Sequence, residues 1–179
     1  MNTVTPIASL SETLSKDPAS PDLVRGLQTI STSSKDLIKF VNTYRSLTRV
    51  ATPVRKPFYL RELMERVEQL TKQQIDAAGA RYQYTELTDD ILLYADEGQI
   101  SQVIVNLISN ALQAEATQIT ITAKIDDFDA VVIDVCNNGH PISPDSQEQI
   151  FIPFFTTKPE GSGIGLSLSR QIMRLHNGS

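Results

Sequence analysis

The segment Asn106-Leu107-Ile108-Ser109-Asn110-Ala111 decides the interpretation of this 179-residue chain. Three further segments follow it in order: Asn137-Asn138-Gly139, Phe151-Ile152-Pro153-Phe154-Phe155 and Gly161-Ser162-Gly163-Ile164-Gly165-Leu166. Each motif is unspecific alone. In this order they predict a helix with a metal ligand, a base-reading loop, a packing segment and a phosphate-binding turn, which are the parts of a nucleotide pocket.

The first segment places two carboxamides on one side of a helix. Asn106 and Asn110 are four residues apart, so their side chains share a face. We predict that the helix starts at Asp96, an N-cap with Gln99 three residues later, and runs through Ala114. A carboxamide oxygen suits Mg²⁺, which takes its other ligands from water and nucleotide phosphates. The alternative is that both amides are buried and bonded to backbone groups.

The glycine-rich segment is predicted to open the last helix. Backbone N–H groups at a helix start lack partners inside the helix and bind phosphate, and the residues predicted to do so are Gly161, Gly163, Gly165 and Leu166. The segment does not follow a strand and lacks Gly-Lys-Ser/Thr, so neither a Rossmann motif nor a P-loop is indicated. Lys158 is a candidate to neutralise a phosphate, with a solvated surface lysine as the alternative.

The loop after the predicted strand Ala130 to Cys136 is the candidate base reader. Asn137 offers both a donor and an acceptor to an adenine edge, and Gly139 lets the backbone approach a flat ring. An ordinary turn is the alternative. We interpret His140 as a loop residue and His176 as a cation that caps a helix end. The phenylalanines of the third segment are interpreted as core that also anchors a mobile loop over the nucleotide: Phe151, Phe154 and Phe155.

Composition limits the possible functions. The chain is 40% hydrophobic and 21% charged, with a net charge of -5 and a pI near 5.0, which disfavours a sequence-independent nucleic-acid binder. The single cysteine, Cys136, excludes an intramolecular disulfide and is interpreted as a small buried hydrophobe. No apolar run reaches the length of a membrane span, so we expect a cytoplasmic fragment without membrane contact. A membrane anchor in the parent protein stays open.

Residues 1–52 are predicted to form a helical hairpin. A first helix carries Val4, Ile7, Leu10 and Leu14, and the second starts with Ser20 as N-cap and Pro21. Apolar or small residues alternate at spacings of four and three along the second helix: Leu23, Leu27, Ile30, Ser34, Leu37, Val41, Tyr44 and Thr48. Two helices bury little surface, so we expect a homodimer that completes a four-helix bundle. The alternative is packing of the hairpin onto the later domain.

The remaining chain has an α+β pattern. Residues 53–60 contain two prolines and are predicted to be a linker. Within 61–179 we expect a helix with Leu63, Val67, Leu70 and Ile75 on its apolar face, ending at Gly79, then strands at 81–87 and 91–94. The alternating runs around Ile121 and Ile133 predict an antiparallel hairpin. We expect a single mixed, largely antiparallel sheet covered on one face by helices.

The four segments resemble the N, G1, F and G2 boxes of sensor histidine kinases, whose ATP-binding domain belongs to the Bergerat-type family shared with gyrase, Hsp90 and MutL. In addition, the stretch from Asn2 to Leu10 resembles the end of that family's H box. The phosphoacceptor histidine would then precede Met1. The resemblance also implies closing strands after Ser179, so we expect a catalytic core shortened at both ends.

The resemblance implies roles for individual residues. Asn110 matches the magnesium-ligating asparagine, and Asn106 stands where gyrase-like relatives have a glutamate that activates water. Since an amide is no general base, ATP should escape hydrolysis and pass its γ-phosphoryl group to a histidine, then to a response-regulator aspartate. Asn137 stands where the family usually has the aspartate that binds adenine, and Pro141 stands where it often has a glycine. We therefore expect weaker adenine binding. Asn2 matches a residue that orients water for dephosphorylating the partner receiver domain.

Two other functions stay open from sequence. A non-catalytic dimeric scaffold with a degenerate nucleotide pocket is suggested by Asn137, Pro141 and the missing histidine. A gyrase- or Hsp90-like ATPase is the other alternative, and Asn106 disfavours it. The fragment alone is not expected to autophosphorylate, because its phosphoacceptor is absent.

Overall fold

A computed structural model describes residues 4–14, 21–48, 50–158 and 161–179. The chain divides into two compact units, Met1–Arg49 and Val50–Ser179. The predicted helix cap Ser20, the connection Lys16 to Ala19 and the candidate site residue Asn2 lie outside the described residues.

The first unit contains both predicted helices, α1 (Val4–Leu14) and α2 (Pro21–Thr48), which pack against each other. Small side chains make their buried contact: Ala8, Ser11, Ser31 and Ser34. Lys35 and Glu12 form an exposed ion pair at 3.2 Å between the helices. In the single chain, several large apolar side chains of the unit stay exposed: Ile7, Leu10, Leu14, Leu23, Ile30, Leu37 and Val41. The buried contact between the helices is therefore made by small residues, and Leu23, Ile30, Leu37 and Val41 of the predicted seam stay exposed.

The second unit alternates strands and helices. In chain order its elements are β1 (Lys56–Tyr59), α3 (Leu60–Ala77), β2 (Arg81–Glu86), β3 (Leu92–Ala95), α4 (Glu97–Gln113), β4 (Gln118–Ile125), β5 (Val131–Asn137), α5 (Pro144–Gln147) and α6 (Gly165–Leu175). The predicted α+β class is confirmed. Helix α4 and the β4–β5 hairpin lie where the sequence placed them.

Strand pairing differs from the single sheet that we predicted. Strands β2, β4 and β5 form one sheet, with β2 parallel and β5 antiparallel to β4, while β1 and β3 form a separate antiparallel pair. The pairings are thus mixed and largely antiparallel, as expected, but within two sheets. An alternating apolar pattern predicts a strand but does not show which strand it pairs with. The sequence therefore did not indicate that β3 pairs with β1.

The predicted linker at 53–60 is wrong in its second half. Lys56–Tyr59 is strand β1, in register with β3 through pairs such as Phe58 with Leu93. Phe58 is buried, and α3 starts at Leu60, whose N–H donates to the Ile91 carbonyl. The prolines and cations of this segment suggested a linker. The strand was missed because it has only one buried side chain, that of Phe58.

The core lies between the helices and the inner face of β4. Helices α3 and α4 contribute buried side chains, and β4 contributes Ile119, Ile121 and Ala123, all fully buried. The prediction that Leu70 lies in the core is wrong, because its side chain is 68% exposed. Thr71 takes that place on α3, and its hydroxyl donates to the Val67 carbonyl at 2.7 Å. Thr71 is four residues after Val67, so both side chains lie on the same buried face of α3.

The buried interpretation of Cys136 is also wrong, since the thiol residue is exposed. Val131, Ile133 and Val135 pack against the core as predicted. Because successive strand residues point to opposite faces, Cys136 next to Val135 must face outwards. The alternating pattern that predicted the hairpin therefore also predicts that Cys136 is exposed.

Candidate functional site

The N-terminus of α4 is fixed as predicted by Asp96. Its Oδ1 accepts a hydrogen bond from the Gln99 N–H at 3.1 Å. The reciprocal half of a capping box is not made, because the Gln99 side chain donates to the Ala51 carbonyl instead. Ile100, Val103, Ile104, Ile108 and Ala111 are buried on the core side of the helix. The helix is thereby held with its carboxamides on another face.

Asn106 joins α4 to the start of α6. Its Nδ2 donates to the Gly165 carbonyl and to Ser169 Oγ, both at 3.3 Å. A Cβ atom on Gly165 would lie 3.8 Å from Asn106 Cγ, so the two residues are in near contact. The carboxamide helix and the glycine-lined helix start, predicted separately, lie side by side.

Asn110 lies one turn further along α4 and is not bonded in the same way. Its Nδ2 is buried and has no hydrogen-bond partner among the described residues. A buried amide nitrogen without a partner is costly. The two amides therefore differ: Asn106 Nδ2 is bonded within the protein, and Asn110 Nδ2 has no acceptor among the described residues.

The same face of α4 continues to Gln113. Its Oε1 accepts a hydrogen bond from Lys158 Nζ at 3.0 Å, and burial lowers the pKa of Lys158. Seven residues of helix from Asn106 to Gln113 span about 10 Å. Polar groups thus line α4 from the start of α6 to the segment that carries Lys158.

The glycine run forms a tight turn before α6, which starts at Gly165 as predicted. Gly163 has φ +65, and a Cβ there would lie 2.5 Å from the Phe154 carbonyl carbon. The Phe154 N–H donates to the Gly163 carbonyl at 2.9 Å. Gly161 packs equally closely on the Thr156 hydroxyl. Ile164 provides no side-chain cap, so the first N–H groups of α6, including that of Leu166, are available to an anion.

The core interpretation of the phenylalanine segment is wrong. Phe151 and Phe154 are 39% and 38% exposed, and Phe155 is partly buried. Phe154 has φ +69, an uncommon value for an aromatic residue. The Arg170 guanidinium lies over the Phe151 ring, 5.0 Å from its centroid. The segment packs against the glycine turn and α6 rather than inside the core.

The loop after β5 is organised by a residue that the sequence prediction passed over. Asn138 Oδ1 accepts from the Thr117 and Gln118 N–H groups at 2.9 and 2.8 Å, and Nδ2 donates to Thr117 Oγ1. Gly139 approaches a backbone closely, but the backbone is that of Ala114: a Cβ would lie 2.5 Å from its carbonyl oxygen. Asn137 is exposed. Asn138 could have been predicted from its position, because an asparagine directly after a strand often hydrogen-bonds backbone groups of a turn.

The two histidines have structural contacts. His140 donates its backbone N–H to the Ala114 carbonyl, as a loop residue would. His176 is the C-cap of α6, as predicted, with Nδ1 2.8 Å from the Ile172 oxygen. The predicted positive charge does not fit, because Nε2 accepts from the Asp96 N–H and so carries no proton.

Two further observations bear on ligands. In the described part of the chain, no three His, Cys, Asp or Glu side chains cluster as a metal site. A surface depression of about 470 Å³ is lined by Arg81, Tyr82, Gln83 and Gln118, which include none of the predicted nucleotide ligands. Across the described residues, no helix has the length and apolar character needed to cross a bilayer.

Comparison with known proteins gives the same assignment as the motifs. The histidine kinase-, DNA gyrase B- and HSP90-like ATPase family matches residues 95–179. The sensor histidine kinase ZraS of Salmonella typhi is 42% identical over 89 residues, covering 49% of this chain and 19% of ZraS. The chain thus spans about a fifth of the length of this relative.

Solved structures extend the likeness. The catalytic domain of histidine kinase ThkA is 36% identical, with a TM-score of 0.61 over 67% of this chain and 80% of that domain. ThkA in complex with the response regulator TrrA is 27% identical over 98% of this chain and 52% of that one, with a TM-score of 0.67. Full-length ShkA with AMPPNP shares the fold over 98% of this chain and 39% of its own, at 22% identity and a TM-score of 0.73. Motifs, site geometry and relatives agree that this chain belongs to the sensor histidine kinases and carries their ATPase-type catalytic region.

Proposed function

We propose that the chain binds ATP with Mg²⁺ between the polar face of α4 and the glycine turn before α6. In the intact protein, the γ-phosphoryl group would pass to a histidine and then to a response-regulator aspartate. The observation that carries this proposal is the contact between the Asn106 amide and Gly165, because it joins the carboxamide face to the phosphate-binding turn. That ShkA was solved with AMPPNP supports the choice of nucleotide.

Asn110 would hold the metal. Its Nδ2 has no hydrogen-bond partner among the described residues, and a flipped carboxamide would present oxygen at that position. A bound Mg²⁺ would neutralise negative charge on the transferring phosphoryl group. The magnesium ligand set would be this one amide, phosphate oxygens and water, which suits an ion that keeps part of its hydration shell.

The remaining residues would bind and orient the nucleotide. Backbone N–H groups of the glycine turn would donate to phosphate: Gly161, Gly163, Gly165 and Leu166. Lys158 would leave Gln113 to pair with a phosphate oxygen, since an ammonium bound to one amide is available for a stronger partner. Asn137 would accept from the adenine amine, and Gly139 would keep the loop against Ala114. For Asn2, outside the described residues, the proposed role is to orient water for dephosphorylation of the receiver domain.

Asn106 decides between transfer and hydrolysis. Its carboxamide cannot take a proton from water, so it cannot be the general base of a hydrolysing relative. Its amide hydrogens are also committed to the Gly165 and Ser169 oxygens. We therefore propose that bound ATP is kept for transfer to a histidine.

The hairpin of residues 1–52 would form a homodimer. Its exposed leucine and isoleucine side chains repeat every seven residues at Leu23, Ile30 and Leu37, a pattern typical of helices that pack in bundles. The partner of the phosphorylated histidine would be a receiver domain, as in ThkA, which has been solved with the response regulator TrrA. Residues 61–179 would be the ATP-binding domain.

Calorimetric titration with Mg-ATP tests the proposal. Wild type should saturate, and Asn110→Ala should abolish the signal because the metal loses its protein ligand. Gln102→Ala, at an exposed position one turn before Asn106 on α4, is the matched control and should bind like wild type. A wild-type chain without a saturable signal would support the scaffold alternative. Steady phosphate release would support an ATPase, and unchanged affinity in Asn110→Ala would refute the metal site.

A further inference from the structure

One imidazole joins the ends of α4 and α6 that lie away from the glycine turn. His176 Nε2 accepts from the Asp96 backbone N–H at 3.0 Å, and Nδ1 lies 2.8 Å from the Ile172 carbonyl oxygen. Because Nε2 accepts, the ring proton is on Nδ1 and donates to Ile172. The ring thus connects the last turn of α6 to the first residue before α4.

The segment Ala51–Arg55 is bound at the same junction. Three hydrogen bonds hold it there: Val54 N–H to Asp96 Oδ2 at 2.9 Å, Gln99 Nε2 to the Ala51 carbonyl at 2.8 Å and Arg55 Nη2 to the Leu175 carbonyl at 2.6 Å. Asp96 therefore accepts from Val54 with one carboxylate oxygen and from Gln99 with the other, while its own backbone N–H donates to His176. The segment Ala51–Arg55 lies at the start of the second unit, Val50–Ser179.

The same two helices meet again at the nucleotide site. Asp96 and Asn106 are ten residues apart on α4, or about 15 Å along a helix. On α6, the corresponding contacts are His176 and Gly165. Helix α6 thus runs antiparallel to α4, and both of its ends are bonded to the start and the middle of α4. A displacement of α6 at His176 would be transmitted along the helix to Gly165 and would change its distance from Asn106.

We propose that His176 is a positioning residue of the nucleotide site. Its bond to Asp96 fixes α6 against α4, which sets the gap between the glycine turn and the Asn106 and Asn110 amides. The same bond completes the junction that holds Ala51–Arg55, so nucleotide binding and docking of this segment strengthen each other. The proposal depends on the nucleotide-binding function proposed above.

Two substitutions separate the bonds of the imidazole. His176→Gln places an acceptor near the position of Nε2 and can keep the bond to Asp96. His176→Asn reaches only the position of Nδ1 and can keep the bond to Ile172. In nucleotide-free protein, NMR should show the Asp96 and Val54 amides exchanging about five to ten times faster in His176→Asn, and near the wild-type rate in His176→Gln. Mg-ATP should bind about fivefold more weakly to His176→Asn, and His176→Gln should restore the affinity.

The outcomes separate this proposal from the nucleotide function. Equal amide exchange in the two variants would overturn the positioning role while leaving nucleotide binding intact. Unchanged affinity in His176→Asn would overturn it as well. A wild-type protein that never saturates with Mg-ATP would refute the proposed function itself, and the positioning role with it. Urea unfolding of both variants checks that a difference in affinity is not a general loss of fold.

Discussion

Replacing Gly163 by alanine should disrupt the turn proposed to bind phosphate without unfolding the protein. The residue has φ +65, where an alanine costs about 1–2 kcal/mol. A Cβ would also lie 2.5 to 2.8 Å from three backbone atoms of Phe154 and Phe155, which no side-chain rotation can relieve. Separating them breaks the bond from Phe154 N–H to the Gly163 carbonyl, worth about 1 kcal/mol. The turn as described should therefore lose about 2–3 kcal/mol.

Gly79→Ala is the matched control for Gly163→Ala. Gly79 follows α3 and also has a positive φ, +63, but nothing lies within 4 Å of a Cβ there. The substitution carries the same backbone cost of about 1–2 kcal/mol without a clash, so nucleotide affinity should change little. The assay is calorimetric titration with Mg-ATP beside urea unfolding of each variant. Gly163→Ala should bind about thirtyfold more weakly or worse, as 2 kcal/mol requires. Equal binding by the two variants would refute the close packing of the turn, or its contact with nucleotide.

Three further substitutions concern stability and are measured by urea unfolding. Tyr84→Phe should cost about 2 kcal/mol, because the hydroxyl donates at 2.6 Å to the nearly buried Glu86 carboxylate. Tyr82→Phe should leave stability unchanged or raise it, because the buried hydroxyl has no partner among the described residues. The same burial raises the pKa of Tyr82 to about 12. An equal loss of unfolding free energy in Tyr84→Phe and Tyr82→Phe would contradict this reasoning. Asp96→Ala should cost about 1 kcal/mol at pH 7, as loss of an N-cap does. The Val54 N–H holds the pKa of Asp96 below its ordinary value, so its contribution is present above about pH 4 and lost as the pH falls through the folded pKa. The gap between Asp96→Ala and wild type should therefore close in acid, and a constant gap from pH 7 to pH 3 would count against the carboxylate.

Local patterns predicted the elements of this fold well, and long-range partners poorly. The cap at Asp96, the carboxamide helix α4 and the β4–β5 hairpin follow from spacing over a few residues. The partner of β3 could not be predicted in this way, because it lies before α3 in a segment with two prolines. Leu70 and Thr71 show the same limit, since a one-residue shift of the buried stripe depends on what packs against the helix.

At the candidate site, residue types were predicted better than their contacts. Gly139 and Gly163 were predicted to lie in the ligand site, and the structure shows that each also lets a neighbouring backbone approach closely. Glycine permits close approach of any group, so sequence alone cannot tell protein from ligand. Asn138 was passed over because its three bonds depend on Thr117 and Gln118, twenty or so residues away.

Asn106 shows how packing and chemistry select the same residue type. The Gly165 carbonyl is an acceptor, so the side chain facing it from α4 must supply a hydrogen. A carboxylate there would bring two acceptors together in a partly buried contact and leave the carbonyl without a donor. A carboxamide satisfies the carbonyl and cannot deprotonate water. The contact that holds the glycine turn against α4 therefore also places no base beside the proposed γ-phosphate, so the packing of α4 and α6 supports the proposed transfer over hydrolysis.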